Sequence, residues 1–169
     1  MYELVFEDSS MTTTVLLRQT WIAATKVAET KLAKVGLTPE KLAVLWACRD
    51  VPPPLTPAEI ARLLFRENQT IAGLLNRMEK EGLIKRVPKR KGQPYTEIKL
   101  TAKGEELCGP GIEVTKAVVQ GLTAHLSDDE REKFDKTLRG IRDRTFDQLY
   151  LEITTPPDNG AGEPIKLNW

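Results

Sequence analysis

The sequence predicts a mainly α-helical fold with one small β-hairpin, and three observations carry that prediction. Two short capped segments with helical apolar spacing meet at a brief polar turn, two strand-like runs follow them directly, and longer helical stretches lie before and after. At 169 residues the chain is long enough for one domain with a real core, or for a compact module flanked by helices that pack elsewhere. With 40% hydrophobic and 29% charged residues it has the composition of an ordinary soluble globular protein, and no window approaches the roughly 18 unbroken apolar residues of a membrane span. The first ten residues, MYELVFEDSS, are acidic and lack a basic n-region followed by an apolar core, so no signal peptide is evident and a cytoplasmic location is expected.

From Met11 to Val35, apolar residues at Leu17, Trp21, Ala24 and Ala28, then Leu32 and Val35, predict an amphipathic helix that Gly36 ends. Thr38 and Pro39 supply an N-cap and a proline at the first position of a second helix, with Leu42, Leu45 and Trp46 on its inner face and its end near Asp50. After the proline connector at 52–54, Thr56-Pro57-Ala58-Glu59 reads as a capping box opening a short helix that buries Ile60, Leu63 and Leu64. The polar turn Arg66-Glu67-Asn68 leads into a helix whose Ile71, Leu74, Leu75 and Met78 share one face, and Gly82 is its stop.

Leu83–Pro88 and Tyr95–Leu100 read as two strands around Lys89-Arg90-Lys91-Gly92-Gln93-Pro94, with Thr96, Ile98 and Leu100 alternating onto one face. A helix-turn-helix followed by a basic β-hairpin is the winged-helix order, whereas the two helices alone would be an ordinary αα-hairpin. Past Lys103-Gly104 the chain returns to helix; Gly109-Pro110-Gly111 predicts a kink or a break, since a proline cannot donate to the helical ladder. Val114, Val118, Leu122 and Leu126 continue an apolar stripe. Ser127-Asp128-Asp129-Glu130 is a second capping box, opening a helix with Phe134, Leu138 and Ile141 inside and an end near Leu151. Residues 152–169 have linker composition apart from Ile165, Leu167 and Trp169.

The chemistry-bearing residues are few. Cys48, Cys108 and His125 cannot make a Cys₄ or Cys₂His₂ zinc site within one chain, and no GxSxG, HExxH, P-loop or GxGxxG pattern occurs. The expectation is therefore a protein that is not an enzyme and carries no metal or cofactor. The charge is distributed more tellingly: a chain of formal net charge +1 places five basic residues and no acidic one between Lys85 and Lys91. A basic wing beside a polar helix face points to double-stranded DNA, even though the net charge gives little global attraction.

In order and spacing the chain resembles the multiple antibiotic resistance regulator (MarR) family of winged-helix transcription factors over roughly residues 11–150. The matching residues are Leu37-Thr38, Leu55-Thr56 with Glu59-Ile60-Ala61, the run Asn76 to Ile84, Leu100-Thr101 with Lys103-Gly104, and Leu126-Ser127 with Glu130. The resemblance implies a homodimer. It assigns residues 11–35 and 105–151 to dimerisation helices, 36–104 to the winged helix-turn-helix lobe that binds DNA, and 152–169 to a C-terminal tail. The function it implies is a sequence-specific transcriptional regulator, a repressor, on a pseudo-palindromic operator.

The expected DNA-facing residues are Thr56, Arg66, Asn68, Gln69, Thr70, Ala72, Gly73, Asn76 and Arg77 from the helices, and Lys89, Arg90, Lys91 and Gln93 from the wing. Asn68 or Gln69 matches the donor-acceptor edge of adenine, and Thr70 a phosphate or a thymine methyl. For Asn68, simple N-capping is the alternative. Gly73 stands where many relatives carry arginine, and Gly92-Gln93-Pro94 falls on the family's usual Asp-x-Arg or Asp-Arg-Arg element, so the wing's charge sits earlier, at Lys89 to Lys91. Family members respond to small aromatic compounds, and Arg18, Trp21 and Trp46 are on helices that would line such a crevice; packing in the core is the alternative for the tryptophans. Two further functional readings stay open: a winged-helix protein-interaction module, and a redox-responsive regulator using Cys48 or Cys108.

Overall fold

The computed structural model describes Leu4, residues 6–87 and residues 96–149. Among these residues, six helices and one pair of strands follow in the order α1 (Ser9–Ala33), α2 (Pro39–Asp50), α3 (Pro57–Leu63), α4 (Asn68–Lys80), β1 (Ile84–Val87), β2 (Glu97–Leu100), α5 (Ala102–Thr123) and α6 (Asp128–Gln148). The predicted fold class is the observed one: helices, with a two-stranded antiparallel hairpin in which Ile84 pairs with Leu100 and Arg86 with Ile98. The predicted tail at 152–169 lies outside the described residues. Among the described residues no helix is long and apolar enough to cross a membrane.

Local capping sets most helix starts. Thr38, Thr56 and Thr101 each accept from the backbone N–H three residues on, at 3.3, 3.1 and 3.1 Å, and Ser127 and Glu130 form the full reciprocal box. Asp8 accepts from Ser10 N–H at 2.7 Å, which starts α1 at Ser9, ahead of the predicted Met11. Two cap expectations are corrected. Only half of the Thr56 box forms, because the Glu59 carboxylate is drawn to Arg62 Nη1 at 2.9 Å. Asn68 is not the cap of α4: Glu67 occupies that position without a side-chain bond, and Asn68 begins the helix proper.

The core joins α2, α3, α4, the hairpin and the first half of α5. Leu45, Ile60, Leu75, Met78, Ile84, Ile98 and Cys108 are fully buried, and Leu32 brings the end of α1 to them. Leu55, just ahead of α3, accepts from Ile98 N–H at 2.8 Å, so the hairpin is tied to the helix-turn-helix through backbone as well as side chains. A different pattern holds toward the ends. Phe134 and Ile141 of α6 are 48% and 37% exposed, and no residue of α6 is buried. Among the described residues, nothing buries the inner face predicted there.

α5 runs through Pro110 without the predicted break. Tertiary packing outweighs the lost hydrogen bond: Cys108 and Ile112 are buried on either side of the proline, while Pro110 itself faces outward. Gly111 permits this contact, because a Cβ there would come within 2.8 Å of Leu37 Cδ1 and 2.7 Å of Leu42 Cδ1. Gly104 is tighter still, with a would-be Cβ 2.1 Å from the Leu83 carbonyl oxygen.

These distances order three substitutions. Gly104→Ala must displace backbone and is expected to cost at least about 3 kcal/mol, whereas Gly111→Ala meets movable leucine methyls and should cost about 1–3 kcal/mol. Gly109→Ala, with nothing within 4 Å, should stabilise by about 0.5–1 kcal/mol. Urea unfolding at fixed protein concentration measures all three.

Candidate nucleic-acid interface and the adjoining groove

The second helix of the helix-turn-helix pair, α4, buries Ile71, Leu74, Leu75 and Met78 and turns its other face to solvent. Gln69, Thr70, Ala72, Asn76 and Arg77 are exposed on it, and Gly73 is half-buried. The Arg77 guanidinium reaches back one turn, with Nη1 4.0 Å from where a Gly73 Cβ would stand. Positive charge therefore lies alongside Gly73, where the sequence has no arginine of its own.

Where α4 meets the hairpin, Arg86 of β1 makes contacts that the sequence does not disclose. Its Nη2 donates to Asn76 Oδ1 at 2.6 Å, its Nη1 pairs with Glu79, and its backbone N–H donates to Glu79 Oε1 at 3.2 Å. Asn76, expected as a simple exposed reader, is thus held from one side. The available signal for Arg86 was its place in the basic run. The C-terminal end of α4 is held as well: Glu81 accepts from Lys41 Nζ at 2.6 Å, and its carbonyl accepts from Lys103 Nζ at 2.9 Å.

Of the remaining expected DNA-facing residues, Thr56 is half-buried with its hydroxyl oxygen used as the α3 cap. Arg66 and Asn68 are exposed and border a depression of about 340 Å³ with Ala58, Arg62 and Phe65. Phe65 has φ of +51°, the left-handed region where glycine is the usual occupant, and its ring stacks on Phe146 of α6 at 5.4 Å between centroids and 19° between planes. Lys89, Arg90, Lys91 and Gln93 lie outside the described residues.

A groove of about 430 Å³ opens between α1, α2, α4 and α5. Trp21, Ala28, Ala43, Ile71, Leu74, Val118 and Leu122 supply apolar walls, and Glu40, Arg66, Thr70 and Thr115 supply polar groups. Of the three expected ligand residues only Trp21 lines it. Trp46 instead packs against the core, close to Asp50, whose carboxyl is held below its usual range chiefly by the hydrogen bond from Arg49. Arg18 is exposed on α1 away from the lining. Core packing was the alternative for Trp46, and its helical spacing with Leu42 and Leu45 puts it on the core side of α2. Arg66 and Thr70, expected at DNA, also border this groove.

Both cysteines have raised thiol pKa values. Burial, then the neighbouring Cys108, pushes Cys48 up to about 12; burial raises Cys108, partly opposed by Arg49. Among the described residues no group of three or more His, Cys, Asp or Glu side chains could hold a metal ion.

The geometry defines a winged helix-turn-helix protein with an outward polar recognition helix. Residues 35–92 match the model of the MarR family. That is the family the residues resemble, and the fold is similar to that of a solved MarR-family transcriptional regulator from Rhodococcus, 18% identical over 80% of this chain and 96% of that one with a TM-score of 0.69. No curated protein matches the chain. Among solved structures, the MepR-DNA complex from S. aureus is 26% identical, over 82% of this chain and 99% of that one, with a TM-score of 0.71. The organohalide-sensing RdhR transcriptional regulator in its 2,4-dichlorophenol-bound form is 23% identical over 86% and 88%, with a TM-score of 0.74. A MarR mutant from E. coli complexed with operator DNA is 21% identical over 76% and 91%, with a TM-score of 0.68.

The thiol environments predict slow cysteine chemistry. Since the thiolate is the reactive form, a thiol of pKa near 12 is ionised to roughly one part in ten thousand at pH 8. Iodoacetamide at that pH should leave both cysteines of the folded protein unmodified on a timescale that alkylates free cysteine completely, and both should react once the protein is unfolded in urea. Mass spectrometry reads the difference.

Proposed function

We propose that the chain is a homodimeric, sequence-specific DNA-binding repressor that inserts α4 into the major groove and flanks it with the basic wing. The observation that carries this reading is the face of α4 opposite Ile71, Leu74, Leu75 and Met78: polar, exposed, and bordered by Arg77 and by the strand leading into the Lys89-Arg90-Lys91 run. Helix-turn-helix readers present the N-terminal part of this helix to base edges, which brings Gln69 and Thr70 forward. Asn68, Ala72, Gly73, Asn76 and Arg77 extend the same surface, and Arg66 lies at its entry. The solved MepR and MarR complexes with DNA, of the same fold, support it.

The dimer is supported by apolar side chains that a single chain leaves uncovered. Leu16, Leu17 and Trp21 on α1, Val119 and Leu122 on α5, and Phe134 and Ile141 on α6 are all exposed. Burying apolar surface stabilises by about 25 cal/mol per Å², so helices 11–35 and 105–151 have a strong reason to pair with a second copy. A twofold dimer then meets a pseudo-palindrome with half-sites about one helical turn apart.

The groove beside Trp21 is the reading's effector site, taking a small aromatic compound. Its walls are mostly apolar with a few polar groups, the usual chemistry of a ligand pocket. Because Thr70, Ile71 and Leu74 of α4 form one side of it, an occupant that fits only one placement of α4 would shift the population between DNA-competent and incompetent forms. The phenol-bound RdhR structure supports this assignment.

Two measurements test these statements. With duplex DNA from upstream of its own gene, binding should weaken with salt along a log-log slope on the order of −5 to −7, as for three or four phosphates per subunit. Lys89→Ala/Arg90→Ala/Lys91→Ala should flatten that slope. Absence of salt-sensitive binding to any genomic fragment would sink the DNA reading and leave a protein-contact module. Separately, 2,4-dichlorophenol should quench tryptophan fluorescence in the wild type, with most of the quenching lost in Trp21→Phe and retained in Trp46→Phe.

A further inference from the structure

The contacts around Arg86 settle which way the Asn76 amide is turned. A guanidinium carries donors only, so the Asn76 atom 2.6 Å from Arg86 Nη2 is its oxygen. Arg86 is itself fixed from two directions, by the Glu79 carboxylate on Nη1 and by the bond from its own backbone N–H to the same carboxylate. The planar fork thus spans Glu79 and Asn76 at once, which a lysine ammonium, as a single point of charge, would not reproduce. The Asn76 oxygen is turned toward β1, and the two N–H donors of Nδ2 are the polar atoms left for the exposed side of α4.

We propose that Arg86 is a positioning residue for specificity: it holds Asn76 as a hydrogen-bond donor toward DNA, so that Asn76 selects an acceptor-bearing base edge, guanine or thymine, over adenine. This rests on the reading of α4 as the major-groove helix. A side-chain amide recognises adenine by giving a hydrogen to N7 and accepting one from N6, which requires both ends of the amide at the base. With the oxygen turned toward β1 by Arg86, it does not face the base beside Nδ2, and that pairing is lost. Guanine N7 and O6, and thymine O4, ask only for donors. Glu79 has a part in the same device, because it aims the guanidinium and reduces its tendency to turn out to a phosphate. Arg86 therefore acts through Asn76 and is not counted among the phosphate contacts.

The test uses the full chain. Wild-type protein first selects duplexes from a random-sequence DNA pool. Affinity for the selected duplex and all its single-base-pair variants is then measured for wild type, Asn76→Ala, Arg86→Met, Arg86→Lys and the double variant Asn76→Ala/Arg86→Met. Wild type is expected to prefer guanine or thymine at one position of each half-site by about tenfold, in line with a single good base contact. Asn76→Ala should remove the preference at that position. Arg86→Met and Arg86→Lys should reduce it to within about twofold there and leave other positions unchanged, and the double variant should match Asn76→Ala. Arg86→Lys keeps the charge, so its salt slope should equal that of wild type; if Arg86→Met does not fold cooperatively, Arg86→Lys decides. Losses that add in the double variant, adenine preference at the position, or a preference that survives in both Arg86 variants overturns the proposal. A wild-type protein that enriches no duplex instead overturns the DNA-binding reading beneath it.

Discussion

Gly104 sits where a Cβ would meet the Leu83 carbonyl oxygen at 2.1 Å, so the first turn of α5 lies directly on the chain that leaves α4. At the same place Thr101 caps α5 by accepting from Gly104 N–H, while its hydroxyl lies 2.6 Å from the Gly82 carbonyl oxygen and 3.1 Å from that of Leu83. Gly82, at φ of +72°, turns the chain out of α4 in a conformation that side chains rarely adopt. Within a few residues this junction joins the end of the recognition helix, both roots of the hairpin and the start of α5. Each hydrogen bond contributes on the order of 1 kcal/mol, but the close approach is what leaves one arrangement of the three elements.

The placement of the candidate DNA surface follows from that junction. α4 is pinned at its C-terminal end by Lys41 and Lys103 on Glu81, and on its side by Arg86 on Glu79 and Asn76. Its N-terminal end is held differently, by the turn in which Phe65 takes a left-handed backbone and stacks on Phe146 of α6. A left-handed aromatic residue costs of order 1–3 kcal/mol, and the stack is an interaction that offsets part of it. The same N-terminal half borders the groove beside Trp21. The groove, the helix-turn-helix turn and α6 thus converge on the half of α4 that presents Gln69 and Thr70.

Much of this was legible because it is local. The Thr38, Thr56 and Ser127 caps, the i, i+3, i+4, i+7 face of α4, the Gly82 stop and the alternation of Ile98 and Leu100 each depend on residues within a turn or a strand of one another. Where the local rule met a competing interaction it failed. Glu59 chose Arg62 over the Thr56 cap, and Pro110 stayed inside a helix because packing on both sides of it outweighed one missing hydrogen bond. Trp46 is at helical spacing on α2, yet which wall it faces depends on where α5 and the core lie, and Arg18 is set apart from the groove for the same kind of reason.

By itself, then, the sequence determined the element order, the polar outer face of the recognition helix and the basic run beside it, because periodicity, capping and charge are read along the chain. The tertiary structure alone decided that Arg86 turns the Asn76 amide, that Trp21 and not Trp46 borders the groove, and that α6 reaches the helix-turn-helix turn through Phe146. Those are meetings of residues distant in sequence or on different elements, set by how the elements pack, and packing is encoded in the sum of all contacts and in no single stretch of residues.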